Sequence, residues 1–141
     1  MNENLLVDAA AGTPTLRLET GTVDRNAIFV SVSGKVLSFA YTVQAGDTSA
    51  DLDYGGRAAL QLNGGTIKDA AGNNAVFGLA APGAAGSLGR SAAIVIETVA
   101  PTFQSASVTG NQMVLSYLEA GALDAVSLPF AGAFEIGRAH V

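Results

Sequence analysis

Apolar residues recur at every second position in short runs along this 141-residue chain, and glycine, proline or asparagine closes most of these runs. Thr15-Leu16-Arg17-Leu18-Glu19 alternates strictly, and Ala27-Ile28-Phe29-Val30-Ser31-Val32-Ser33 adds β-branched and aromatic residues. Ser33-Gly34-Lys35 reads as a tight turn into a second alternating run over 36–43. Successive side chains on a strand point to opposite faces, so such runs place one face in a core and the other in water. No stretch holds an apolar stripe at i, i+3, i+4, i+7 without a Gly or Pro break, so helices have little support.

The remaining segments fit the same period. Residues 44–56 form a polar, acidic loop, and Ala58-Ala59-Leu60-Gln61-Leu62 is a short strand closed by Asn63-Gly64-Gly65, where positive φ is easily reached. Thr66-Ile67 leads into the turn cluster Asp69-Ala70-Ala71-Gly72-Asn73-Asn74 and then Ala75-Val76-Phe77-Gly78-Leu79. Residues 80–91 are rich in Ala and Gly and read as a loop, whereas Ala93-Ile94-Val95-Ile96 has the compactness of a buried strand. Short strands with turn signals between them predict an all-β sandwich. Its core is expected from Leu16, Leu18, Phe29, Val30, Leu37, Phe39, Tyr41, Leu60, Leu62, Ile94 and Ile96.

Glu97-Thr98-Val99-Ala100-Pro101-Thr102 reads as a boundary, because proline removes a ladder donor and stiffens the backbone toward an extended form. Beyond it, 103–109 and 112–118 flank Gly110-Asn111, a two-residue hairpin signal. The expected organisation is a first module over 1–99, the opening part of a second over 100–134, and a tail of 135–141. That tail, Glu135-Ile136-Gly137-Arg138-Ala139-His140-Val141, resembles the translation of a sequencing-library adapter and is set outside the fold.

Charge and residue inventory narrow the function classes. The chain carries 12 acidic and 7 basic residues, a net charge of −5, which argues against a nucleic-acid partner. There is no cysteine, and the single histidine, His140, falls in the suspect tail, so the common nucleophile–base pairs cannot be assembled and no enzyme is expected. The start shows no basic segment followed by an apolar one, hence no signal peptide. The uncharged stretches 70–89 and 98–118 are too broken by polar and turn residues to span a membrane, which takes about 20 mostly apolar residues.

Three carboxylates, Asp47, Asp51 and Asp53, crowd one loop of small residues and could supply hard oxygen ligands to Ca²⁺. The EF-hand pattern fails, since Leu52 stands where its glycine belongs and Ala58 where its glutamate belongs. The alternative is a solvated acidic loop. Asp69, Asn73 and Asn74 form a second candidate, with turn chemistry as the competing account. Glu97 could hold an ion at the module boundary, and Glu3 and Glu119 occupy comparable places in the two modules.

Three motifs carry a family resemblance: Tyr41-Thr42-Val43-Gln44-Ala45-Gly46-Asp47, Leu62-Asn63-Gly64-Gly65-Thr66-Ile67-Lys68-Asp69-Ala70-Ala71-Gly72-Asn73, and the boundary segment at Glu97. Over about residues 3–102 the chain resembles the tandem immunoglobulin-like repeats of giant bacterial cell-surface proteins. Residues 101–134, with Val108-Thr109-Gly110-Asn111-Gln112-Met113-Val114-Leu115-Ser116-Tyr117, resemble the opening of the repeat named after the swimming-motility protein SwmB. The resemblance implies an immunoglobulin-like antiparallel β-sandwich lacking its first strands, followed by the opening hairpin of a second β module. It also implies an extracellular or cell-surface setting, neighbouring repeats as partners, and a spacer that projects adhesive modules. The alternative is a carbohydrate- or ligand-binding accessory module of a secreted protein, which would need an exposed ring such as Tyr54; the chain has no Trp.

Overall fold

A computed structural model describes residues 4–119. The second-module segment 120–134, the tail 135–141 and Glu3 lie outside the described residues. The fold is all-β and sandwich-like, built of antiparallel sheets with one short helical turn. The chain divides between Thr98 and Val99 into two compact units.

In the first unit a four-stranded sheet has the order β4-β3-β2-β5. Its strands are β2 (Thr15–Leu18), β3 (Arg25–Ser33), β4 (Val36–Ala40) and β5 (Leu60–Gln61). The β3–β4 hairpin turns at Gly34-Lys35, where Gly34 takes φ 58° and Ser33 pairs with Val36. A second, two-stranded sheet pairs β1 (Leu5–Asp8) with β6 (Thr66–Asp69), setting Val7 opposite Ile67. Strand β1 was not anticipated, because its four residues carry no turn signal on their N-terminal side.

The buried core consists of Leu18, Ala27, Leu52, Tyr54, Ala59 and Ile96, with Leu16, Phe39, Tyr41, Leu79 and Leu88 packed against it. Phe29, Leu37, Leu60 and Leu62 are half-buried. Two expected core residues are corrected. Val30 is 61% exposed because the β3–β4 register slips between Phe29 and Ser31, leaving Val30 as the extra residue of a bulge. The slip resets the alternation: Ala27 and Phe29 face inward before it and Val32 after it. Ile94 is 38% exposed, and its segment meets the chain through single bridges in place of a full strand. Ser49 and Ile96 exchange two backbone hydrogen bonds of 2.8 Å, and Leu52 N–H donates to Ile94 O at 2.7 Å. These bonds draw the acidic loop over the core, so that Leu52 and Tyr54 become core residues.

The second unit, over its described residues, is the hairpin β7 (Thr102–Thr109) and β8 (Gln112–Leu118), which turns at Gly110 with φ 63°. One face is apolar, with the pairs Phe103/Tyr117, Ala106/Leu115 and Val108/Met113. The two rings meet edge to face with centroids 5.9 Å apart. The opposite face presents mainly Ser and Thr, including Ser105/Ser116 and Ser107.

Candidate functional site

The three loop carboxylates are not brought together. Asp47 is 1% exposed and lies at the end of a turn in which its own N–H donates to Gln44 O at 3.0 Å. Its carboxylate accepts from Arg25 Nε at 2.9 Å, from Gln44 N–H at 2.8 Å and from the Tyr41 hydroxyl. The Tyr41 bond holds the Asp47 carboxyl below its ordinary range, and Arg25 and Gln44 add to that against the opposing effect of burial. Burial, with Asp47 beside it, pushes the Tyr41 hydroxyl up. Thr98 closes this corner: its hydroxyl donates to Asp47 O at 2.8 Å and accepts from Gly46 N–H at 3.1 Å.

Asp53 is buried in a different place. Tyr54 N–H, Gly83 N–H and Leu88 N–H donate to it at 2.9, 2.9 and 3.2 Å. Burial pushes its carboxyl up, but the hydrogen bonds from Gly83, Ser87, Tyr54 and Gly89 outweigh that and hold it low. The Ala/Gly-rich segment 80–91 is thereby strapped across the core by one carboxylate. Ser87 reinforces the strap as the N-cap of α1 (Leu88–Ser91), accepting from Arg90 N–H at 3.2 Å. Asp51 is exposed.

A calcium ion shared by Asp47, Asp51 and Asp53 does not fit these residues, because the two buried carboxylates already have their oxygens occupied by donors from separate parts of the chain. Among the described residues, no group of three or more His, Cys, Asp or Glu is placed to hold a metal ion.

The second candidate is a turn. Asp69 is buried, and its two oxygens accept from Asn73 N–H and Asn73 Nδ2, both at 2.8 Å, while Asp69 N–H donates to Asn73 O at 2.9 Å. The Asn73 side chain and backbone hold the Asp69 carboxyl low. Asn74 forms a bridge with Lys68 and is exposed. Glu97 is exposed in the first unit, and Glu119 is half-buried in the second.

Tyr54 is not an exposed ring. It is 6% exposed, and its hydroxyl donates to Ala80 O at 2.8 Å. Sequence reasoning missed the structural use of Asp53. The signal was present in Leu52 and Tyr54, two apolar residues flanking one acid in an otherwise polar loop.

A polar cleft of about 480 Å³ lies on the outward face of the four-stranded sheet, lined by Thr15, Arg17, Asn26, Ala58, Ala59, Gln61 and Asn63. No helix among the described residues is long and apolar enough to cross a membrane.

Residues 96–140 match the SWM repeat, a family described as "Putative flagellar system-associated repeat". The match bears out the SwmB-type resemblance read from 101–134 and extends it to both sides. No curated protein and no solved structure matches the chain. The chain therefore carries a repeat unit of a kind found in larger proteins.

Proposed function

We propose that this chain is a structural spacer: immunoglobulin-like repeat modules from a large secreted or surface-anchored bacterial protein, which hold adhesive modules away from the cell. The observation that carries this reading is the repeat match over 96–140, which begins within the last three residues of the first compact unit and runs on through the second. Neighbouring repeats of the same protein are then its partners.

The use of buried charge supports the same reading. Asp47, Asp53 and Asp69 bind donors of their own chain, and each ties down a loop or turn. Buried acids satisfied in this way stiffen a module, and these three carboxylates are taken up by donors of their own chain. In this reading the chain has no catalytic centre and no resident cofactor.

The test is protease shaving of intact cells of the natural host. Peptides from residues 4–119 are expected in the supernatant before lysis. Release only after lysis would overturn the surface assignment. Small-angle scattering of one and two tandem copies tests the spacer role separately: the maximum dimension should grow with each copy, and an unchanged dimension would end that role.

A further inference from the structure

The cleft on the outer sheet face is a feature that the spacer reading does not use. It exists because β5 is only two residues long beside the four of β2. Alanines 58 and 59 continue that edge with minimal side chains, although Arg17 N–H still donates to Ala59 O at 3.0 Å. Leu16 and Leu18 turn inward, so Thr15 and Arg17 share the outward face; Asn26 pairs with Arg17 and Gln61 with Thr15. Four polar side chains thus meet across three strands.

Two of the amides there are fixed in orientation. Gln61 Nε2 donates to Ala58 O at 2.7 Å, and Asn63 Nδ2 donates to Thr13 O at 2.9 Å and to Thr15 Oγ1 at 3.1 Å. Their carbonyl oxygens are left as acceptors, and Thr15, which accepts from Asn63, has its hydroxyl proton to give. The Asn26 amide makes no hydrogen bond among the described residues. The Arg17 side chain is 54% exposed; its Nε lies 3.5 Å from Asp24 Oδ2, and its guanidinium lies over Gly55, so its charge reaches the cleft from a held position.

We propose that this cleft binds an acidic saccharide, with its carboxylate on the Arg17 fork and its hydroxyls on Asn26, Gln61, Asn63 and Thr15. Each sugar hydroxyl both donates and accepts, which suits a mixed set of amides and a hydroxyl. A planar, half-exposed guanidinium fork suits a carboxylate. The cleft volume lies within the range of small-ligand sites, about 300–1,000 Å³. The site goes beyond the spacer role and stands or falls apart from it.

The test is a backbone-amide NMR titration of the full chain with three probes: sialyllactose, a galacturonic acid trimer, and lactose as the neutral counterpart. Saturable shifts at residues 15, 17, 26, 61 and 63 are expected with at least one acidic probe, with lactose about tenfold weaker or worse. Which acidic probe binds separates a sialic from a uronic ligand. Arg17→Gln and Asn26→Ala should each weaken binding about fivefold or more, and Arg17→Lys less than Arg17→Gln, since Lys keeps the charge and loses the fork. Thermal melts of the variants should match the parent, which separates lost binding from lost folding. Equal binding of lactose, shifts outside the cleft, or no saturation with either acidic probe would overturn the proposal.

Discussion

Asp51 and Asp53 are neighbours in one loop, yet only Asp53 is buried and surrounded by donors. Replacing it with alanine strands several backbone N–H groups at once, and an unsatisfied buried donor costs about 1–3 kcal/mol. Asp53→Ala is therefore expected to destabilise the first unit by about 2–4 kcal/mol, read from denaturant melts, whereas Asp51→Ala should stay within about 0.5 kcal/mol. Equal effects would contradict the strap. The same buried acids set the response to pH. Asp47, Asp53 and Asp69 have carboxyls held below their ordinary range in the folded state. Their contribution is complete above the unfolded carboxylate range and is lost as pH falls through the lower folded values. The melting temperature should be level from neutral pH down to about 5 and fall steeply below about 4. A protein that melts higher in acid would show that these carboxylates do not stabilise the fold.

At the scale of elements, the bulge in β3 makes a distinction that alternation alone cannot. Val30→Ser is expected to be nearly neutral, within about 0.5 kcal/mol. Ile67→Ala, at a β6 position only 1% exposed, should cost about 2–5 kcal/mol. Thermal or denaturant melts decide between them. The loop before β2 is tested at Gly12, where an added Cβ would sit 1.7 Å from the backbone oxygen of Asn63. Because that obstacle is backbone, Gly12→Ala should cost about 3 kcal/mol or more. Much of this architecture could be read from period and punctuation: β2, the β3–β4 hairpin at Gly34 and the β7–β8 hairpin at Gly110 all sit where alternation and turn residues put them. What could not be read depends on long-range partners. The inserted residue at Val30 is defined only by the strand opposite, and β1 only by its pairing with β6. The loop acids are the clearest case, since composition marks a cluster whereas Arg25, Tyr41 and Gly83, all distant in sequence or turned by the fold, decide where each carboxylate goes.

For the molecule as a whole, the separate occupation of Asp47 and Asp53 predicts that calcium does not set its stability. Melts in about 5 mM CaCl₂ and in excess chelator should coincide, because stabilisation requires a site that binds the folded state. A midpoint that rises with calcium would locate an ion the loop acids do not hold together. The two units also differ in how their apolar residues are disposed. Core side chains of the first unit are enclosed by its own loops, with Leu52 and Tyr54 closing it and Ile96 near its end. In the hairpin, Phe103, Val108, Met113, Leu115 and Tyr117 remain exposed along one face. That difference governs where the gene can be cut for expression. A product stopped at Thr98 keeps its core covered and should stay dispersed at high concentration. One stopped just after Leu118 carries a greasy ribbon, and its solutions should turn cloudy with concentration and salt.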